Sequence, residues 1–185
     1  MRSGIGVGGY CLTKDPTFAH ASSGQLFGKR LDFPFSNLAV QVNHNMPLNI
    51  LPRLLSVMET KVQNSKILIC GVSYRQDVGD TRYSPTETLA RKLIELEAKV
   101  VCHDPFISYW EEMSMNLSSS LPSADEFDVV IFAVPHSYYK DLRLIPWAKG
   151  CKLIYDCNGM FSKNQRALLR ENNIRIESVG RGNGL

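Results

Sequence analysis

The sequence predicts an α/β fold, a central helical segment followed by a doubly wound, mainly parallel sheet. Three observations carry that expectation. Short apolar runs of strand length recur at 66–72, 100–103, 128–134 and 152–156. Helix-start signatures or long connections separate them, as parallel strands require. Before residue 66, in contrast, the apolar residues recur at helical rather than strand spacing.

Taken in order, residues 1–24 are rich in glycine and small residues around Cys11. Residues 34–60 read as helical, with Leu38, Val42, Leu48, Leu51, Leu55 and Met58 recurring at roughly helical spacing. Pro47 and Pro52 interrupt that pattern, which places a kink or break near Met46. The run from Lys66 to Val72 is a buried strand ending at Gly71. Ser84-Pro85-Thr86-Glu87 then reads as a helix start with a capping box, followed by the apolar stripe Leu89, Ala90, Leu93 and Ile94. Val100 to His103 is a second strand, Asp128 to Val134 a third and central one, and Lys152 to Asp156 a fourth. Ser162 to Gln165 is another capping-box start, and Ile174 to Val179 an edge strand. The serine- and leucine-rich stretch from Ser114 to Asp125 reads as a surface connection. The expected division is 1–62, an active-site loop with helices, and 63–185, an α/β domain.

Composition narrows the function classes. With 185 residues, 44% hydrophobic and 21% charged, the chain has the profile of a soluble, core-forming protein. A formal charge of +3 is too small to imply nucleic acid, yet suits a phosphate-bearing substrate. No apolar run reaches membrane-spanning length, and Met1-Arg2-Ser3-Gly4 lacks a signal-peptide core, so the expected address is cytoplasmic. The 5 cysteines form no CxxC pair. Cys70, Cys102, Cys151 and Cys157 read as structural, and no ligand cluster has metal spacing, so no metal is expected.

Gly4-Ile5-Gly6-Val7-Gly8-Gly9 formally matches GxGxxG. That fingerprint works only between a strand and a helix, and Met1-Arg2-Ser3 ahead of it does not read as a strand. The strand ending at Gly71 continues Val72-Ser73-Tyr74 and lacks it too. The glycines make better sense as part of a longer block, Gly8-Gly9-Tyr10-Cys11-Leu12-Thr13-Lys14-Asp15-Pro16. Glycines let backbone amides approach a ligand closely. A cysteine opening a helix there has its thiolate favoured by the dipole and by Lys14. Asp15, four residues on, would share a helix face with Cys11. By composition alone a buried structural cysteine remains the default. Arg82 can simply pair with Asp77 or Asp80, and His44, His103 and His136 read as structural. The Asn116-Leu117-Ser118 sequon reads as chance. A cysteine hydrolase would need a histidine base near Cys11; His20 is present, but no hydrolase signature surrounds it.

From Gly6 to Pro16 the chain resembles the active-site segment of the UDP-glucose/GDP-mannose dehydrogenase family: a glycine pair, one residue, the cysteine, then Lys-Asp. A second block agrees, running Gly71-Val72-Ser73-Tyr74-Arg75-Gln76-Asp77-Val78-Gly79-Asp80-Thr81-Arg82-Tyr83-Ser84-Pro85. His103-Asp104-Pro105 and Val179-Gly180-Arg181 are similar to later blocks, in the same order, so the resemblance covers essentially the whole chain. It implies a Rossmann-like domain and a two-step, NAD-dependent oxidation of a sugar C6 alcohol to a carboxylate, serving polysaccharide precursor synthesis. Cys11 would form a thiohemiacetal and then a thioester, with Asp15 positioning or deprotonating water. Gly4, Ile5, Gly6, Val7 and Gly8 would wrap the sugar, and Tyr74 and Arg75 would contact the nucleotide. Lys14 and Arg82 would approach the NAD.

The same resemblance implies a homodimer or higher homo-oligomer through the 34–60 helices, with a UDP-sugar as the other partner. Two departures matter. The family's NAD-binding domain would precede Met1, so the chain alone is expected to be inactive. Asn158 stands where the family often has arginine or lysine against the substrate of a neighbouring subunit, and Thr13 replaces a common proline. The rival expectation is a catalytically inactive UDP-sugar-binding and dimerisation module.

Overall fold

The computed structural model describes residues 4–180; the readings placed on Met1, Arg2, Ser3 and Arg181 lie outside them. The glycine-rich start leads into a short helix, α1 (Tyr10–Thr13), and a 3-10 turn over Asp15–Thr17. The helix face expected to be shared by Cys11 and Asp15 therefore does not form. Pro16 is the physical reason, since it has no N–H for the Leu12 carbonyl and its ring would clash there. A second helix the sequence pattern does not announce, α2 (Phe18–Phe27), follows at once. Next come α3 (Pro34–Asn45), a 3-10 turn over Met46–Ile50, and α4 (Leu51–Val57). This is the break expected near Met46. Pro47 and Pro52 both sit at helix starts, where a missing N–H leaves no bond unmade.

The remainder alternates. β1 (Lys66–Cys70), α5 (Pro85–Glu95) and β2 (Lys99–His103) lead to a small antiparallel hairpin, β3 (Tyr109–Trp110) with β4 (Met115–Asn116). Then come β5 (Val129–Phe132), α6 (Ser137–Lys140), α7 (Leu144–Ala148), β6 (Leu153–Asp156), α8 (Lys163–Glu171) and β7 (Arg175–Ser178). The main sheet has the order β2-β1-β5-β6-β7 and is parallel throughout. The doubly wound α/β class is thus observed, with β5 central and β7 at an edge as expected.

Three local expectations need correction. Ser84 caps α5 by accepting the Thr86 N–H, but Glu87 bonds Arg91 instead of closing a box. Ser162 and Gln165 do close theirs. The stretch from Ser114 to Asp125 is more than a surface connection, because it supplies β4 and buries Leu117 and Ala124.

Side chains alternate across the strands, so each face of the sheet builds its own core. Ile67, Ile69 and Ile131 pack with Leu89 and Leu93 of α5, and with Ile5, Ile50 and Leu54 from the N-terminal segment. Leu68, Val130 and Phe132 face Tyr139, Leu169 and Ile176 on the other side. A side chain such as Leu54, 0% exposed, contributes about 1.5–3 kcal/mol by burial. Among the described residues no helix is long and apolar enough to cross a membrane.

Candidate nucleotide-sugar site

The chain runs outward from β1 to β2 and then returns past β1 to β5, so the winding reverses between β1 and β5. In open α/β sheets the loops leaving the carboxyl ends of strands diverge at such a point and leave a crevice. A cavity of about 500 Å³ lies there, lined by Gly4, Ile5, Gly6, Val7 and Gly8 together with Ser73, Tyr74, Arg75, Val134 and Asn158. Every residue expected to contact the sugar or nucleotide therefore lines one cavity. Arg75 is exposed and, among the described residues, has no carboxylate partner, so it gives the cavity a cation.

Two contacts seat the glycine strip. The Val7 N–H donates to Asn43 Oδ1 at 2.8 Å, and Asn43 Nδ2 donates to the Val7 carbonyl at 2.7 Å, so α3 pairs with the strip as a strand would. On the other side the strip lies against the loop after β1. A Cβ at Gly8 would sit 2.6 Å from Tyr74 Cβ and 2.7 Å from the Tyr83 carbonyl oxygen, which only glycine avoids. Asn43 gave no motif signal, and its role depends wholly on where α3 docks.

Buried carboxylates shape the walls. Asp104, at the end of β2, accepts from the N–H groups of Val72 and Ser73, from the Ser73 hydroxyl and from His136. Burial pushes its pKa up, but the bonds from His136 and the backbone outweigh that and leave it at about 2. Asp156, at the end of β6, pairs with buried Arg166 and accepts the N–H groups of Asn158, Met160 and Phe161. Asn158 is thereby turned into the cavity, where its amide donates to the Ala133 carbonyl at 2.8 Å. Asp104 and His136 were invisible as a pair in the sequence, although His103-Asp104-Pro105 stood out as a block.

The catalytic candidates lie elsewhere. Cys11, Lys14 and Asp15 are all exposed, and none lines the cavity that holds Tyr74 and Arg75. Lys14 Nζ and Arg82 Cζ lie 5.0 Å and 4.9 Å from the Tyr10 ring centroid. Arg82 also pairs with Asp80 at 2.6 Å, which raises the guanidinium's pKa and lowers that of the carboxyl. Asp80, rather than Asp77, is its partner. The other four cysteines are buried, and burial pushes Cys151 up to about 11 and Cys102 up to about 12.

These residues do not fit a complete NAD site. At the turn after β1, where a dinucleotide's phosphates would rest on backbone amides, the Val72 and Ser73 N–H groups already serve Asp104. Among the described residues no group of three His, Cys, Asp or Glu is placed to hold a metal.

The profile described as "UDP-glucose/GDP-mannose dehydrogenase family, UDP binding domain" matches residues 68–163. The UDP-N-acetyl-D-mannosamine dehydrogenases of Methanococcus maripaludis and Methanocaldococcus jannaschii are each 26% identical over 98% of this chain. The crystal structure of NDP-N-acetyl-D-galactosaminuronic acid dehydrogenase from Methanosarcina mazei superposes with a TM-score of 0.79, at 25% identity over 98% of this chain and 40% of that one. The chain spans 41% and 40% of the length of the two curated relatives.

Proposed function

The chain belongs to the UDP-glucose/GDP-mannose dehydrogenase family, and on that premise we propose that it is the nucleotide-sugar-binding part of an NAD-dependent nucleotide-sugar dehydrogenase. The observation that carries the reading is the single cavity at the winding reversal. It draws Gly4 to Gly8 together with Tyr74 and Arg75, far apart in sequence. A nucleoside diphosphate suits it: Tyr74 offers a ring and Arg75 a cation for the phosphates. The names of the relatives make UDP-N-acetyl-D-mannosamine the first sugar to try.

In this reading Cys11 attacks the C6 aldehyde, giving a thiohemiacetal; loss of a second hydride to NAD would leave a thioester, and Asp15 positions the water that hydrolyses it to the carboxylate and the free thiol. NAD is the proposed hydride acceptor, held mainly by a separate cofactor-binding domain, with Lys14 and Arg82 approaching it. Residues 1–62 form the active-site arm and 63–185 the nucleotide-sugar domain, and the product feeds polysaccharide synthesis in the cytoplasm. The exposed apolar side chains of α3, Phe35, Leu38 and Val42, support a homodimer through the 34–60 segment.

Calorimetry with UDP and UDP-sugars tests the binding. The chain is expected to bind UDP, and Arg75→Ala to weaken it by about tenfold, the worth of a charge-assisted bond. No binding by the unaltered chain overturns the reading. With NAD and the sugars added, the chain alone is expected to give no reduced cofactor. That Cys11 is exposed and does not line the cavity favours a second reading, a UDP-sugar-binding and dimerisation module without catalysis. A ¹³C-labelled UDP-sugar 6-aldehyde separates the two, since a thiohemiacetal resonance lost in Cys11→Ser supports the enzyme and binding without it supports the module.

A further inference from the structure

The loop that carries Tyr74 and Arg75 is fastened to the corner after β5, and this joins the two walls of the cavity. The Asp77 N–H donates to His136 Nδ1 at 2.9 Å. In return Asp77 Oδ1 accepts the Ser137 N–H at 2.8 Å, and its Oδ2 accepts the Ser137 hydroxyl at 2.7 Å. Lys140 Nζ adds a bond to Gln76 Oε1 at 3.2 Å. The residues just before the two ends of this latch, 73–76 on one side and 133–135 on the other, line the cavity.

His136 is the part of the latch that cannot drift. It is 0% exposed, and its Nε2 lies 3.1 Å from Asp104 Oδ2. Because Nδ1 accepts from Asp77, the ring proton belongs on Nε2, aimed at Asp104. Asp104 is in turn fixed by the backbone at the end of β1, through the Val72 and Ser73 N–H groups. Asp77 itself stands at φ 55, a conformation that a non-glycine residue keeps only when its contacts hold it.

We propose that His136 is a positioning residue for the nucleotide-binding wall: held by Asp104, it fixes Asp77 and thereby sets where Tyr74 and Arg75 stand across from the glycine strip. The proposal rests on the reading of this cavity as the nucleotide-sugar site. His136 does not line the cavity, and its effect passes through the loop.

Two substitutions separate the latch from simple packing. In His136→Asn the amide oxygen falls where Nδ1 was and still accepts from Asp77. In His136→Gln the amide nitrogen falls near Nε2 and still donates to Asp104, but the Asp77 N–H loses its acceptor. Amide hydrogen exchange on the full chain is expected to speed up about tenfold at Asp77 in the Gln variant, the worth of one lost bond, and to rise less in the Asn variant, which keeps the acceptor for Asp77 but gives up the bond to Asp104. UDP affinity, measured by calorimetry, is expected to follow the same order. Equal exchange at Asp77 in the two variants, or equal UDP affinity with unequal exchange, overturns the proposal. If the Gln variant fails to fold, His136→Leu removes the acceptor of the Asp77 N–H with a side chain of similar bulk, and unchanged Asp77 exchange there is equally fatal. If the unaltered chain binds no UDP, the nucleotide-site reading fails by itself, while the exchange comparison still decides whether His136 holds the loop.

Discussion

Residues 71–77 leave the sheet inside a web of buried hydrogen bonds, whereas residues 10–15 ride on the outside of the molecule. The first stretch turns at Gly71 (φ 94), where a Cβ would fall 2.5 Å from Val134 Cβ, and its amides run straight into Asp104. The second is a four-residue helix with no buried side chain, tied down mainly through Gly9, Tyr10 and the Val7–Asn43 pair. The proposed binding surface and the proposed nucleophile are thus held by different kinds of contact. The wall proposed to match a nucleotide is fixed by the chain's own core. The segment bearing Cys11 sits instead among exposed apolar side chains, Leu12, Phe18 and Phe27.

The contrast can be broken in several ways, and thiol chemistry offers the largest effect. Iodoacetamide on the native chain is expected to alkylate Cys11 while sparing Cys70, Cys102, Cys151 and Cys157 until denaturant is added. Peptide mass mapping reads this directly, and equal native labelling of Cys157 would end the comparison. Next in size is Leu54→Ala, which opens a void where the N-terminal segment joins the sheet. A loss of roughly 2–5 kcal/mol in urea unfolding is expected.

Acid should find the wall before it finds the arm. Asp104 is held at about 2 against an ordinary 3.8, so its contribution is fully present above about pH 4 and disappears as pH falls toward 2. That contribution is about 2 kcal/mol. Asp77, lowered by its bonds to Gln76 and Ser137, pushes the same way. Stability measured between pH 5 and about 2 should fall, and less steeply in Asp104→Asn; identical slopes would remove Asp104 from the account. The smallest effect belongs to Arg82→Gln, because the Arg82–Asp80 pair is exposed and such pairs stabilise little. A thermal melt clearly lowered by that change would mean that Arg82 braces the Tyr10 ring more than its exposure suggests.

Legibility in the sequence tracked locality. The strands, the central place of β5 and the Ser162 box depend on neighbours in the chain, and all could be read from apolar runs and cap residues. β3 and β4 escaped because two-residue strands leave no periodic trace. α1 differs for another reason: helical spacing from Cys11 to Asp15 is cut short by Pro16, which has no N–H for the Leu12 carbonyl. The cavity lining was legible as blocks of resemblance, but its scaffolding was not. Asp104 and His136 meet only because β2 and β5 flank β1. The rule that ligands gather beyond the carboxyl ends of strands, applied to each polar residue just after a strand, would have picked out both.

Arg53 of α4 grips Glu177 of β7 with bonds of 2.9 Å to 3.2 Å, and Arg175 joins from the same strand at 3.2 Å. Among the described residues β7 is also the outermost strand on its side. A foreign strand seeking to extend the sheet there would meet a short rim whose charges are already committed inward. Such a rim resists templating. Copies of this chain are thus steered away from adding strand to strand at this edge.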